Sequence, residues 1–351
     1  MLKNITKIVL LFTMYSGVSQ NSFQDIFNDN TRLLKENIRI ALKDTLGNQG
    51  HLPISILKGK NDGPIFTIVA GVHGFEYPPI IATQELIQEI KIEELSGTII
   101  FIPIANMASF FTRTPFINPQ DKTNLNGTFP GDSTGTITQR LAHFIAEIII
   151  PVSDVFLDIH GGDANEDLIS FVCYYDNKNK PEQTQLAKEL SETSGFEYVV
   201  SYPYTLTDKD PAKYAFKQAV QDGKIALSIE SGKLGNMQEG AVSLIKIGVY
   251  NMLSTMKMYD KKTEPNLNLK KLNHQTYIKS KTSGIFYSNY NAGDSIKKGD
   301  VVGYTTDEFG NKIEEYTAIE SGIILYKIAT PPVNVGETIM CVSSSLLNGI
   351  K

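Results

Sequence analysis

Three short apolar runs stand out along the chain, each followed at once by glycine and polar residues. Residues 65–70 lie between Pro64 and Gly71, residues 155–159 are interrupted only by Asp158, and residues 225–229 only by Ser228. Runs of this length read as strands buried on both faces, as in the parallel sheet of an α/β domain. Between them the apolar spacing turns helical. Pro78 and Pro79 pre-set a first helical turn whose apolar face continues through Ala82, Leu86 and Ile90, while Ile137, Leu141 and Ile148 mark a second helix. Further helices are predicted over residues 182–194, 212–220 and 240–258, and further strands over 98–104, 169–175 and 196–200. Ahead of the first run, residues 24–46 read as a helix followed by a short strand. The alternating residues 52–58 read as an edge strand, with His51 in the loop before it. Strand and helix alternate throughout this part, so the pattern predicts an α/β fold with a mixed, largely parallel twisted sheet flanked by helices.

Two stretches break the pattern. Residues 108–135 are rich in Thr, Asn, Pro and Gly without helical period, and a loop of that length inside a compact domain is usually functional. Residues 259–276 lose apolar periodicity and collect Lys, Asn and a Pro, as a linker does. Beyond it the chain echoes itself: Ser283, Gly284, Ile285, Phe286 and Tyr287 are matched by Ser321, Gly322, Ile323, Ile324, Leu325 and Tyr326, and each copy runs on to a glycine turn. Two related strand sets predict a small pseudo-symmetric β-barrel or sandwich. The expected organisation is a signal peptide over 1–19, a catalytic domain over 20–262, a linker over 263–275 and a β-rich domain over 276–351.

The chemistry gathers where the three runs end. In parallel sheets the carboxyl ends of strands present ligands. After the first run come His73 and Glu76, with Gly71 and Gly74 letting the backbone turn so that imidazole and carboxylate face one site. A hydrolytic zinc takes three protein ligands and keeps a fourth position for water, and His160, ending the second run, supplies the third. Asp158 lies two residues earlier on the same side of that strand, placed to orient a ligand imidazole. The third run ends on Glu230, a carboxylate oddly placed for a structural role. A histidine and a glutamate three residues apart arise often by chance, but three ionisable groups capping three buried strands point to a metal hydrolase site.

These residues carry a resemblance to the succinylglutamate desuccinylase/aspartoacylase family, relatives of the zinc carboxypeptidases. The GVHGFE of residues 71–76 resembles the family's GxHGxE, the DIHGG of 158–162 its second histidine motif, and the IESG of 229–232 the segment with its catalytic glutamate. The segment 102–106, Arg113 and the stretch 121–131 resemble the part that lines the family's substrate pocket. The resemblance implies one zinc ion held by His73, Glu76 and His160, and Glu230 as general base. It also implies Arg113 polarising the scissile carbonyl, Asn126 beside the substrate, and a carboxyl-terminal domain similar to lipoyl and biotinyl domains. One departure stands out: the family's arginine after that asparagine is Gly127 here, and a backbone N–H does not replace a bidentate guanidinium grip on a carboxylate.

Charge and composition narrow the partners. The formal charge is −5, with no basic cluster, which argues against nucleic acid and anionic membranes and for a small-molecule substrate. Residues 1–19 carry Lys3 and Lys7 ahead of a short apolar core and then Gly17 and Ser19, the form of a cleavable secretory signal, too short to span a membrane. The expected location is periplasmic or secreted. Cys173 and Cys341 fall in different expected domains and read as two buried thiols without a disulfide. His143, on a helix flank, reads as a surface or core residue. The expected function is zinc-dependent cleavage of an amide bond, deacylating an N-acylated amino acid or related small molecule. Alternatives are a secreted zinc carboxypeptidase or amidase acting on peptides or peptidoglycan, and a metal-binding protein without catalysis. The sequence leaves the oligomeric state open.

Overall fold

A computed structural model of the chain describes residues 20–261 and 268–345. The expected signal peptide lies outside the described residues, as does much of the expected linker.

Helix α1 (Gln20–Asn28) leads into a long hairpin of β1 (Leu34–Lys43) and β2 (Gln49–Lys58). Next come β3 (Asn61–Ala70), α2 (Tyr77–Glu89), β4 (Ser96–Ile102), the short α3 (Met107–Thr112) and α4 (Ile137–Phe144), which continues in a π-helical turn over Ile145–Ile149. They are followed by β5 (Val155–His160), β6 (Glu166–Leu168), β7 (Phe171–Asp176), α5 (Pro181–Thr193), β8 (Tyr198–Pro203), α6 (Ala215–Gln221), β9 (Ile225–Glu230), α7 (Glu239–Thr255) and β10 (Lys270–Leu272). Among the described residues nine strands form one sheet in the order β1-β2-β4-β3-β5-β9-β7-β8-β10. Its centre, β4-β3-β5-β9, is parallel, while β1, β2 and the β7–β9 contact bring in antiparallel pairs. The mixed, largely parallel sheet flanked by helices is thus present.

Both faces are covered, which is why the central strands are apolar almost throughout. On β5 and β9, Leu157, Ile159, Leu227 and Ile229 join one core under α2, α5 and α7. Phe156 and Ala226 join the other, under α1, α4 and α6. The period of two then sets Asp158, His160, Ser228 and Glu230 on that second face, at the carboxyl ends of neighbouring strands.

Three expectations are corrected. Residues 52–58 are not an edge: β2 lies between β1 and β4, and β1 takes the edge because the segment before it pairs along its whole length. His51 lies inside β2 opposite Ala41 rather than in a loop. Residues 270–272, expected within the linker, instead form β10 and pair in parallel with β8.

The carboxyl-terminal part holds β11 (His274–Lys279), β12 (Gly284–Tyr287), β13 (Ser295–Ile296), β14 (Val301–Thr306), β15 (Lys312–Thr317), β16 (Gly322–Ile328), β17 (Pro332–Val333) and β18 (Thr338–Ser344). They form two antiparallel sheets, β11-β18-β16-β13 and β15-β14-β12-β17, around a core that includes Phe286, Ile324 and Ile339. The two echoed segments become β12 and β16, one in each sheet. The first sheet is extended by β6, which pairs with β16 and stitches the two parts together through the main chain.

Candidate metal centre and active site

The loop after β3 is tight because it has to be. Gly71 has φ +65°, and a Cβ on Gly74 would lie 2.1 Å from the backbone nitrogen of Phe110. α3 therefore packs directly against the turn that carries His73 and Glu76, and the Asn106 side chain caps α3 by accepting from the Ser109 N–H at 3.2 Å. β5 lies beside β3 and β9 beside β5, so the ends of three adjacent strands converge. The sheet order reverses here, since the chain goes from β3 to β4 on one side and returns with β5 on the other, the switch point at which open α/β sheets bind ligands.

His73, Glu76 and His160 are buried, and donor atoms from all three lie within 4.8 Å of one another. His73 Nδ1 is 2.6 Å from Glu76 Oε1, and His160 Nδ1 is 3.1 Å from Glu76 Oε2. The outer nitrogens are held as well: His73 Nε2 lies 3.1 Å from Asn124 Oδ1, and His160 Nε2 lies 3.1 Å from Asp158 Oδ1. Fixing Nε2–H on the outside leaves Nδ1 as the inward donor of each ring. Asp158 is fully buried and its oxygens meet the geometry of no hydrogen bond among the described residues, so the ion-pair contact with His160 is what offsets its charge. Two imidazole nitrogens and a carboxylate, each braced from behind, fit a divalent metal of the borderline class.

The electrostatics follow from that arrangement. Burial pushes the Glu76 carboxyl up, but His73 and His160 overcome it and hold it down at about 2. Burial would lower His73 and His160; Glu76 raises the first, and Asp158 and Glu76 together raise the second. Glu230 has no such compensation. Burial pushes it up to about 8, opposed by His160 and reinforced by Glu76 and Glu166.

A pocket of about 410 Å³ opens from this cluster along the second face of the sheet. Glu230, Cys173, Tyr175 and Tyr202 line it from β9, β7 and β8, and Tyr277 and Tyr326 reach it from the carboxyl-terminal sheet. The 108–135 segment contributes Phe116 and Asn126 to its lining. Phe116 packs edge-on to His73 with ring centroids 5.6 Å apart, and its N–H donates to Asp163 Oδ2 at 3.0 Å. Asn126 lines the pocket with its Oδ1 buried and unpartnered.

Arg113 is not brought in. It caps α3 in a left-handed conformation, φ +52°, and its exposed side chain lines a separate hollow with Tyr77, Phe110, Phe111 and Met237. The role expected of it at the scissile carbonyl finds no geometry here, since Arg113 is exposed and lines this hollow rather than the pocket at the cluster. Sequence reading missed three features. Asn124 orients His73; it stands in the same NLN run as Asn126 and was legible only as its neighbour. Glu166 lines the pocket from β6, a strand too short to show periodicity. The tyrosines of β11 and β16 are far away in sequence and carry no local signal. Cys173 and Cys341 are both free and buried.

Comparison with known proteins agrees with this construction. The succinylglutamate desuccinylase/aspartoacylase catalytic domain model matches residues 62–256, more than half of the chain. A relative in Halomonas elongata, N-alpha-acetyl-L-2,4-diaminobutyric acid deacetylase, is 28% identical over 299 residues, covering 83% of this chain and 85% of the relative. A succinylglutamate desuccinylase/aspartoacylase from Rhodobacter sphaeroides superposes with a TM-score of 0.82 at 21% identity, covering 91% of this chain and 98% of its own. The product-bound ectoine utilization protein EutE (DoeB) from Ruegeria pomeroyi superposes with a TM-score of 0.80, also at 21% identity, covering 90% and 97%. With the three strand-end motifs in order and the whole fold matched, the chain belongs to the succinylglutamate desuccinylase/aspartoacylase family.

Proposed function

We propose that this protein is a zinc-dependent deacylase that hydrolyses the amide bond of an N-acylated amino acid or a related small molecule. The observation that carries the reading is the meeting of His73, Glu76 and His160 beside Glu230 and Asn126 in one pocket. The Halomonas relative, whose name gives a small N-acetylated amino acid as its substrate, supports the same reaction class.

His73, Glu76 and His160 would hold the ion, which when bound supplies Lewis-acid chemistry, polarising the amide carbonyl and making water a competent nucleophile near neutral pH. Asn124 and Asp158 keep the two imidazoles in the tautomer that presents Nδ1. Glu230 takes the proton of the attacking water on a carboxylate oxygen and hands it to the leaving amine. The unpartnered Asn126 Oδ1 would accept a hydrogen bond from the N–H of the bound acylamide. Phe116 and the tyrosines of β11 and β16 close the pocket and limit water.

The test is metal analysis of the purified protein followed by a screen of N-acetyl and N-succinyl amino acids, with peptides in parallel. One tightly bound zinc and release of free amine from an acylamino acid are expected. Glu230→Gln should keep the metal and the fold but lose about 10²–10⁴-fold in turnover. Near-normal turnover in that variant would remove the base assignment, and cleavage of peptides alone would favour the carboxypeptidase alternative. The residue 1–19 segment further suggests export, which amino-terminal sequencing of the mature protein checks.

A further inference from the structure

Asp163 is a buried carboxylate that the hydrolytic reaction leaves without a task. It follows the ligand candidate His160 by three residues, in a turn with no slack: a Cβ on Gly162 would lie 2.4 Å from the Glu166 carbonyl oxygen and 2.9 Å from Lys233 Cα. The carboxylate accepts two backbone N–H groups, from Phe116 on Oδ2 at 3.0 Å and from Ala164 on Oδ1. The charges that act most strongly on it are those of Glu76 and His73, neither of them a lysine or arginine. A carboxylate withdrawn from water without such a partner is costly, and what this one holds is itself strained. Phe116 has φ +59°, a left-handed backbone that a bulky aromatic residue rarely takes, and the Ile117 N–H closes a one-residue turn on the Pro115 carbonyl at 2.7 Å. A conformation of this kind persists where its surroundings fix it, and the Asp163 carboxylate reaches it from the turn that carries His160.

What the strained turn sets is the place of the Phe116 ring. The ring stands edge-on to His73 and lines two hollows at once, the main pocket and a side hollow of about 220 Å³. Glu166 and Tyr326 also line both, so these three side chains form the partition between them. Strand order gives the end of the substrate that meets it. Glu230 on β9 hands its proton to the leaving amine, so the amine half faces β9 and the strands beyond it, β7 and β8. The acyl half is left the opposite side, by the β3 turn, where the Phe116 ring rests against His73. We propose that Phe116 is the specificity-determining residue that closes the acyl end of the pocket, and that Asp163 is the positioning residue that keeps its ring there. The inference rests on the deacylase reading of the site and adds to it the device that limits acyl length.

N-acetyl-, N-butanoyl- and N-hexanoyl-L-alanine differ only in acyl length and test it on the zinc-loaded wild type and on Phe116→Ala, Asp163→Ala and Asp163→Asn. The readout is the ratio of kcat/KM between compounds on one protein, which a smaller fraction of folded or metal-loaded molecules leaves unmoved. In the wild type the hexanoyl compound should be poorer than the acetyl compound by roughly tenfold or more. Phe116→Ala joins the side hollow to the pocket and should bring the two compounds level or reverse their order, mainly through KM. Asp163→Ala should move the ratio the same way by freeing the ring. Asp163→Asn keeps an acceptor oxygen for the Phe116 N–H and should return the ratio toward the wild-type value. A wild type indifferent to acyl length, a Phe116→Ala variant with the wild-type ratio, or an Asp163→Ala variant that slows every compound alike overturns the proposal. Calorimetric binding of N-hexanoyl-L-alanine gives a readout that does not depend on turnover. Binding to the two alanine variants but not to the wild type, with no compound hydrolysed, would sink the deacylase reading and keep the partition; equal binding to all the proteins, or binding to none, would sink the partition itself.

Discussion

Each histidine of the His73–Glu76–His160 cluster is held by a contact behind it, and the contact behind His160 is the most exposed to test. Asp158 has lost all its water and gives its charge to one imidazole. Asp158→Asn keeps the shape but removes that charge, so zinc affinity should fall about 10–100-fold while the fold persists, as a competitive chelator titration would read. Unchanged affinity would show that Asp158 does not orient the ligand. Glu166 gives a separate, pH-dependent handle. Burial raises its carboxyl from 4.5 to about 7, so between those values the folded chain binds more protons than the unfolded one. Stability on its account is therefore present at the acid side and falls as pH rises through that window. Thermal melts of the metal-free protein at pH 5 and pH 8 should show a smaller drop for Glu166→Gln than for the wild type, and parallel drops would contradict the assignment. The sequence exposed the ligand candidates because each sits where an apolar run stops. It could not show that the Arg113 side chain is exposed, since that depends on where α3 ends and on the left-handed backbone that Arg113 itself adopts there.

At the scale of elements, the β3 turn and α3 form one unit. The missing side chain at Gly74 lets α3 lie against the turn, and the atoms a Cβ would meet are backbone, with Ser109 C at 2.5 Å, so they cannot swing aside. Gly74→Ala should destabilise by about 1–3 kcal/mol and weaken zinc binding together, because relief of the clash moves the loop that carries both ligands. A variant with wild-type melting temperature and zinc affinity would show the contact to be looser than drawn. The helices and central strands were legible from their patterns, as the apolar stripe of α2 and the largely apolar runs of β3, β5 and β9 show. β1 and β2 were misjudged because edge or interior position depends on which strand pairs alongside, and no residue of β2 encodes its partnership with β4. β6 was invisible for a related reason: three residues cannot display a period.

For the molecule as a whole, the two parts share more than a boundary. β6 belongs to the first part by sequence and to the carboxyl-terminal sheet by pairing. β10 completes the large sheet from within the expected linker, and Leu325 and Cys341 pack into the same core as Phe156 and Phe171. A shared core and crossed strands leave little to melt separately. Scanning calorimetry should therefore show one cooperative transition, with the calorimetric and van't Hoff enthalpies in agreement. Two resolved transitions would mean that β6 and β10 are weak ties. The same crossing puts Tyr277 and Tyr326 into the pocket, so the carboxyl-terminal sheets shape what the pocket accepts.

By itself the sequence determined the fold class, the family resemblance and the candidate ligands, since those depend on local period and on motifs a few residues long. Tertiary structure alone decided which strand ends are neighbours, which face of the sheet carries the pocket, and that part of the pocket wall comes from β6, β11 and β16. The physical reason is that side-chain alternation and turn chemistry are written locally. Strand order, and with it the charge of a pocket built from several strands, emerges only when distant segments pair.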